Sequence, residues 1–194
     1  MNKLKKFRVI NEIERKMIND SLLKISPQIL SDLDETGFRF YISLNRLNPR
    51  DNFPSVYFVP NNLSTNLDNF KPVTIINSAG LYFGFIKKSQ FFLSLEGAEF
   101  LYKLNMIPQK LKVIVNDKGE KAILYGNKIL KKFAPQIPTT LMKNNLLFVF
   151  NKSNELISIA RSQVDSSEYQ KNLSPNDIFA INLVDKGYYL RKKQ

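Results

Sequence analysis

Residues 146–164 read LLFVFNKSNELISIARSQV. The apolar run 146–150 is followed by the polar residues Asn151, Lys152, Ser153, Asn154 and Glu155, and then by the aliphatic-rich stretch 156–164. Two short apolar runs around a polar turn predict a pair of strands rather than a helix. Downstream, residues 178–184 (IFAINLV) and 188–191 (YYLR) predict two further strands around Asp185, Lys186 and Gly187. Upstream, 112–115 and 121–124 flank Asn116, Asp117, Lys118 and Gly119 as hairpin strands would, with Gly119 free to take a positive φ. A short helix is expected over 127–133, closed by Pro135. The second half therefore reads as mostly β.

The first half reads as a sheet with helices beside it. Asn11 and Glu14 have the spacing of a capping box, and Ile13, Met17, Ile18, Leu22 and Ile25 follow at helical intervals up to Pro27. Phe38, Phe40, Ile42 and Leu44 alternate with Arg39, Tyr41 and Ser43, which predicts a strand with one buried face. Shorter strands are expected at 55–59 and 73–76, and a hairpin at 81–86 and 91–95 around Lys87, Lys88, Ser89 and Gln90. The stretch 61–69 reads as a polar loop or a frayed helix, and 96–104 as a helix that ends before Pro108. The expected class is α+β: an N-terminal α/β domain over 1–108, built on an antiparallel sheet with flanking helices, and a β-rich domain over 109–194. There is no internal repeat and no low-complexity segment.

Charge is distributed unevenly. The 194 residues hold 29 Lys+Arg against 17 Asp+Glu, a formal net charge of +12, with 43% apolar content. Residues 1–108 hold 14 basic and 10 acidic residues, a net of +4, whereas 109–194 hold 15 and 7, a net of +8. Two-thirds of the excess thus lies in the smaller part, as expected of a module that binds a polyanion, with nucleic acid the leading partner. With no Cys and no His, the chain has no Ser-His or Cys-His nucleophile pair, thiolate or imidazole zinc site, or histidine proton shuttle. The charged N-terminus lacks the apolar core of a signal peptide and no apolar run approaches the length of a membrane span, so a cytoplasmic protein is expected.

The basic residues of the second part gather at Lys128, Lys131 and Lys132 and at Arg191, Lys192 and Lys193, with Tyr125 before the first group and Tyr188 and Tyr189 before the second. Cations beside aromatics combine phosphate neutralisation with base stacking, the needs of single-stranded RNA recognition. Each cluster is equally compatible with a solvated face. Tyr125, Gly126 and Asn127 sit where a glycine lets the backbone approach a ligand, although these three residues also suit a plain strand-to-helix turn with Asn127 as N-cap. The acidic groups Asp32, Asp34 and Glu35, and Glu96 and Glu99, form no pair suited to acid-base or metal chemistry, and no phosphate-binding glycine loop is present. No catalytic residue, metal or cofactor is expected.

The segments AILYGNKILKK (122–132), LLFVF (146–150), LISIARS (156–162) and DIFAINLVDKGYYLR (177–191) together resemble the PUA domain, named for pseudouridine synthases and archaeosine transglycosylases. The YGN-x-I-LK form, with GLYFGFIKKSQFFLSLEGAEFL (80–101), RVINEIE (8–14) and TGFRFYISL (36–44) in matching order, is similar to the Nip-seven family of ribosome biogenesis factors and its archaeal homologues. The loop 165–175 shows little similarity to that pattern, and the stretch 45–54 is unmatched. The resemblance implies an α/β domain followed by a PUA-type β-barrel with a short helix. It also implies a non-catalytic role in large-subunit assembly and ribosomal RNA processing, through single-stranded U-rich or A/U-rich RNA. By the same resemblance Tyr125, Gly126, Asn127 and Lys128 belong to the RNA-binding motif, Arg191 and Lys192 to the basic end that archaeal members use, and Arg161 to a barrel strand that tends to be basic. Tyr188, Lys193, Lys131 and Lys132 complete the expected RNA surface. Pre-ribosomal RNA is the expected partner of a monomeric protein, with other assembly factors or exosome subunits as protein partners. Two alternatives remain: the RNA-binding component of a modification system, and a protein adaptor.

Overall fold

The structure, a computed structural model, describes residues 7–44, 53–69, 76 and 78–191. It divides into two units, Met1–Phe100 and Leu101–Gln194.

The first unit runs β1 (Phe7–Val9), α1 (Glu12–Leu22), α2 (Ile29–Glu35), β2 (Phe38–Ser43), β3 (Ser55–Pro60), α3 (Asn61–Asn69), β4 (Leu81–Lys87) and β5 (Gln90–Leu93), and the chain leaves it through α4 (Leu95–Lys103). The strands form an antiparallel meander in the order β1-β2-β3-β4-β5. The capping box forms as expected: the Glu14 N–H donates to Asn11 Oδ1 at 2.8 Å, and the Asn11 N–H donates to Glu14 Oε2 at 2.8 Å. Arg8 of β1 then donates to both Glu14 oxygens, at 2.9 and 2.7 Å, tying strand to helix. The β4–β5 hairpin turns at Lys88 and Ser89, both with positive φ (47° and 58°), the backbone twist that two-residue hairpin turns favour.

Strand β2 differs from the expectation of one buried face, because Phe40, Tyr41, Ile42 and Ser43 are all buried. Phe40 packs on Phe58 and Phe83 on one side, while Tyr41 joins Phe7 and Val59 on the other. The expected strand at 73–76 lies outside the described residues except for Ile76, as does most of 45–54. Residues 61–69 are helical, one of the two readings left open by the sequence.

The second unit carries β6 (Lys112–Ile114), α5 (Asp117–Leu124), β7 (Ile129–Leu130), β8 (Leu146–Phe150), β9 (Leu156–Ser162), α6 (Ser166–Lys171), β10 (Ile178–Asp185) and α7 (Tyr188–Arg191). Its strands form a curled half-barrel in the order β6-β8-β9-β10-β7, with β6 parallel to β8 and the other pairs antiparallel. Ile123, Leu147, Val149, Ile157 and Phe179 are among its fully enclosed core residues. Tyr169 of α6 packs edge-on against Phe179, and burial pushes its phenol above the usual range. The strands expected at 146–150, 156–164 and 178–184 are all present, with β9 ending at Ser162.

Three expectations are corrected here. Residues 121–124 belong to helix α5 rather than a hairpin strand. Asn116 Oδ1 accepts the Gly119 N–H at 2.9 Å as an N-cap, Asp117 and Glu120 occupy the first turn, and Gly119 and Ile123 turn one face inward at i and i+4. Gly119 is there for space: a Cβ would stand 2.7 Å from the Phe133 Cβ. Residues 127–133 are not a helix. Ile129 and Leu130 pair with β10, the Lys131 and Lys132 N–H groups donate to the Asp177 and Pro175 carbonyls at 3.0 and 2.9 Å, and only 131–133 make a 3-10 turn. Residues 188–191 form α7, not a strand, with the Arg191 N–H donating to the Gly187 carbonyl at 3.1 Å. Among the described residues no helix is long and apolar enough to cross a membrane.

Candidate nucleic-acid interface

The Tyr125–Lys128 segment is the C-terminal cap of α5. Tyr125 is the C-cap, Gly126 follows at φ 83°, and two hydrogen bonds close the turn: the Gly126 N–H to the Ile123 carbonyl at 2.8 Å and the Asn127 N–H to the Ala122 carbonyl at 3.0 Å. This is the double-bonded Schellman arrangement, which needs a residue that tolerates a left-handed backbone at the Gly126 position. Asn127 is therefore part of a helix C-cap and not an N-cap. The turn projects outward: Tyr125 is 77% exposed, and Asn127 and Lys128 are exposed beside it. Lys128 makes no ion pair with the described residues.

A polar network fixes this cap from beneath. Arg191 of α7 donates to Asp185 Oδ1 at 3.0 Å and to Oδ2 at 2.9 Å, and also to the Leu124 carbonyl. A cation at a helix C-terminus satisfies a carbonyl that the helix leaves unpaired and complements its dipole. Asp185 is buried; its Oδ2 also accepts from Asn182 Nδ2 at 2.9 Å, which donates to the Ile123 carbonyl at 3.2 Å. Ser158 on β9 donates to Asn182 Oδ1 at 2.8 Å. Hydrogen bonding to Asp185 raises the Arg191 guanidinium further above its ordinary value, so it stays cationic. Gly126 lies directly against this guanidinium, and a Cβ on Gly187 would overlap the Leu124 carbonyl oxygen. Two glycines thus let α5 and α7 close on each other.

The expected RNA-binding residues separate into groups. Tyr125, Gly126, Asn127 and Lys128 form the exposed turn, with Arg191 beneath it, and Tyr188, 40% exposed, follows Gly187. Arg161 is exposed on β9, opposite Ile181 of β10, whose neighbour Ala180 opposes Ile129. Two strand spacings, roughly 10 Å, therefore separate Arg161 from the β7 end of the turn. Lys131 and Lys132 face the 173–177 segment instead: Lys131 Nζ donates to the Leu173 carbonyl at 2.8 Å and lies 5.0 Å from the Tyr169 ring, and Lys132 Nζ donates to Asn176 Oδ1 at 2.7 Å. Lys192 and Lys193 lie outside the described residues. The sequence reading missed Asp185, which it placed in a turn, and Asn182; their importance depends on the register of β9 and β10.

Known proteins resemble the chain in sequence and in fold. Residues 111–194 match the family model described as the UPF0113 PUA domain. A UPF0113 protein of Archaeoglobus fulgidus is 34% identical over 118 residues, covering 60% of this chain and 63% of that protein, so the chain spans just under two-thirds of that relative's length. The 60S ribosome subunit biogenesis protein NIP7 of Saccharomyces cerevisiae is 27% identical over 137 residues, 70% of this chain and 72% of the yeast protein. In fold, the chain is similar to a conserved PUA domain protein from Thermoplasma acidophilum, with a TM-score of 0.56 and 15% identity over 96% of this chain and 98% of the other. The resemblance to the PUA domain and to the Nip-seven family read from the sequence is met. The match to the UPF0113 PUA domain thus lies in residues 111–194, the second unit of the fold.

Proposed function

We propose that the protein is a non-catalytic RNA-binding factor of ribosome biogenesis, acting in large-subunit assembly and ribosomal RNA processing, that grips single-stranded U-rich or A/U-rich RNA through residues 109–194. The observation that carries this reading is the outward Tyr125–Lys128 turn, held rigid by Arg191 and Asp185 in the part of the chain with a net charge of +8. An aromatic on a hydrogen-bonded turn, beside a lysine with no ion pair among the described residues, offers a base a stacking face and a phosphate a counter-charge, and a pre-ordered backbone loses little entropy on binding. Kinship with the yeast NIP7 protein, which is named for 60S subunit biogenesis, supports the cellular role. The N-terminal domain, residues 1–108, presents the face for protein partners, among them other assembly factors or exosome subunits, and the protein acts as a cytoplasmic monomer.

The test is fluorescence anisotropy of labelled U-rich, A-rich and mixed single-stranded RNA with the full chain over a salt series. Binding that weakens with log salt at a slope near 0.7 per phosphate contacted, and that favours U-rich or A/U-rich strands, is expected. Absence of binding at low salt overturns the reading.

A further inference from the structure

A second surface of the same unit has the chemistry of a nucleotide site. Between the 3-10 turn Gln109–Leu111 with β6 and the 136–140 segment lies an open groove of about 420 Å³. That volume falls within the usual range of small-ligand sites. Strand alternation builds its floor: Val113 is buried in the core, so Lys112 and Ile114 face the other way, and Ile114 is left 50% exposed beside Ile137 and Pro138. Lys110 is exposed at the rim and makes no ion pair with the described residues. The Lys112 ammonium is fixed 4.7 Å from the Tyr102 ring centre. Gln136, Thr139 and Thr140 supply neutral hydrogen-bonding groups, and none of the described lining residues is a carboxylate.

We propose that this groove takes one nucleotide of single-stranded RNA, with a phosphate held by Lys110 and Lys112, sugar hydroxyls on Thr139 and Thr140, and the base flat on Ile114 and Pro138 within reach of Gln136. The proposal rests on the RNA-binding reading and extends it to a patch separate from the Tyr125–Lys128 turn. Charge complementarity selects an anion, and the apolar wall beside the lysines selects one with a planar apolar face. An acidic peptide fits less well. The Ile114–Gln136 backbone bridge already occupies the strand edge, so a peptide cannot extend the sheet at that point.

The experiment is amide chemical-shift titration of the full 194-residue chain with hexauridylate, with inorganic phosphate and with a hexaglutamate peptide in parallel. Saturable shifts of residues 109–114 and 136–140 with hexauridylate are expected. Lys110→Glu should abolish them while leaving the shifts of residues 125–128 in place, and should lower the salt slope of binding by about 0.7. Shifts confined to residues 125–128 overturn the groove assignment and leave the RNA reading intact. Absence of shifts in both regions overturns both. Equal groove shifts with inorganic phosphate, or with hexaglutamate, overturn the nucleotide assignment in favour of a general anion site or a peptide groove.

Discussion

Arg191 and Asp185 form a two-point ion pair, at 3.0 and 2.9 Å, whose guanidinium also reaches the Leu124 carbonyl and covers Gly126. The pair joins the end of β10 and helix α7 to the C-terminus of α5, so it sets the position of the exposed turn above it. Arg191, expected from the sequence to touch RNA, donates to protein groups on three sides and so also positions the turn. Asp185→Asn removes the countercharge and leaves the guanidinium with one carbonyl and a weaker acceptor. The unfolding transition of this unit should fall by about 5 °C or more in thermal melts followed by circular dichroism. An unchanged transition would show that the pair is ornamental.

Gly126→Ala places a side chain at φ 83° and a Cβ 3.1 Å from the Arg191 guanidinium. The left-handed backbone alone costs about 1–2 kcal/mol for a residue with a Cβ. Urea denaturation should show a loss of at least that size, and RNA affinity should fall with it because the turn no longer holds its shape.

Gly119→Ala tests the packing of α5 against Phe133. In an open helix interior this change stabilises by up to about 1 kcal/mol. Here the new Cβ meets the Phe133 Cβ at 2.7 Å, so the sign reverses and a destabilisation of about 1–3 kcal/mol is expected in the same assay. A gain in stability would show that Phe133 leaves room for a side chain here, as at an open helix position.

The misreading of this segment has a physical origin. Strands 146–150 and 156–162, the 81–93 hairpin and the Asn11 capping box were legible because each signal is complete within about ten residues. Around 117–133 the local signals conflict: Asn-Asp-Lys-Gly suits a turn as well as an N-cap, and Lys-Ala-Ile-Leu is too short to reveal its period. Pairing of Ile129 and Leu130 with β10, about fifty residues away, decides the outcome. The exposed turn itself was legible as a candidate from Tyr125, Gly126 and Lys128. The support beneath it was not, since Asp185 and Asn182 reach α5 only once β9 and β10 are in register.

Glu14 offers a pH test in the first unit. Burial raises its carboxyl pKa, but the Arg8 hydrogen bonds and the Asn11 N–H outweigh this and hold it below its ordinary 4.5. A folded-state value below the unfolded one contributes stability that is present above pH 4.5 and is lost as pH falls through the folded value. The stability difference between the wild type and Glu14→Gln should therefore be full at pH 7 and shrink below about pH 4 in urea titrations. A difference constant from pH 7 to 3 would contradict the role given to the Arg8–Glu14 pair.

The most direct measurement compares wild type, Tyr125→Ala and Lys128→Glu in anisotropy titrations with a labelled U-rich single-stranded RNA. Both side chains are exposed and make no hydrogen bond or ion pair with the described residues, so the variants should melt like the wild type. Loss of one stacked base weakens affinity by about 1–3 kcal/mol, roughly five- to 150-fold, for Tyr125→Ala. Lys128→Glu should lower the salt slope by about 0.7 as one phosphate contact disappears. Wild-type affinity and salt slope in both variants would contradict the account and move the RNA-binding surface away from the turn.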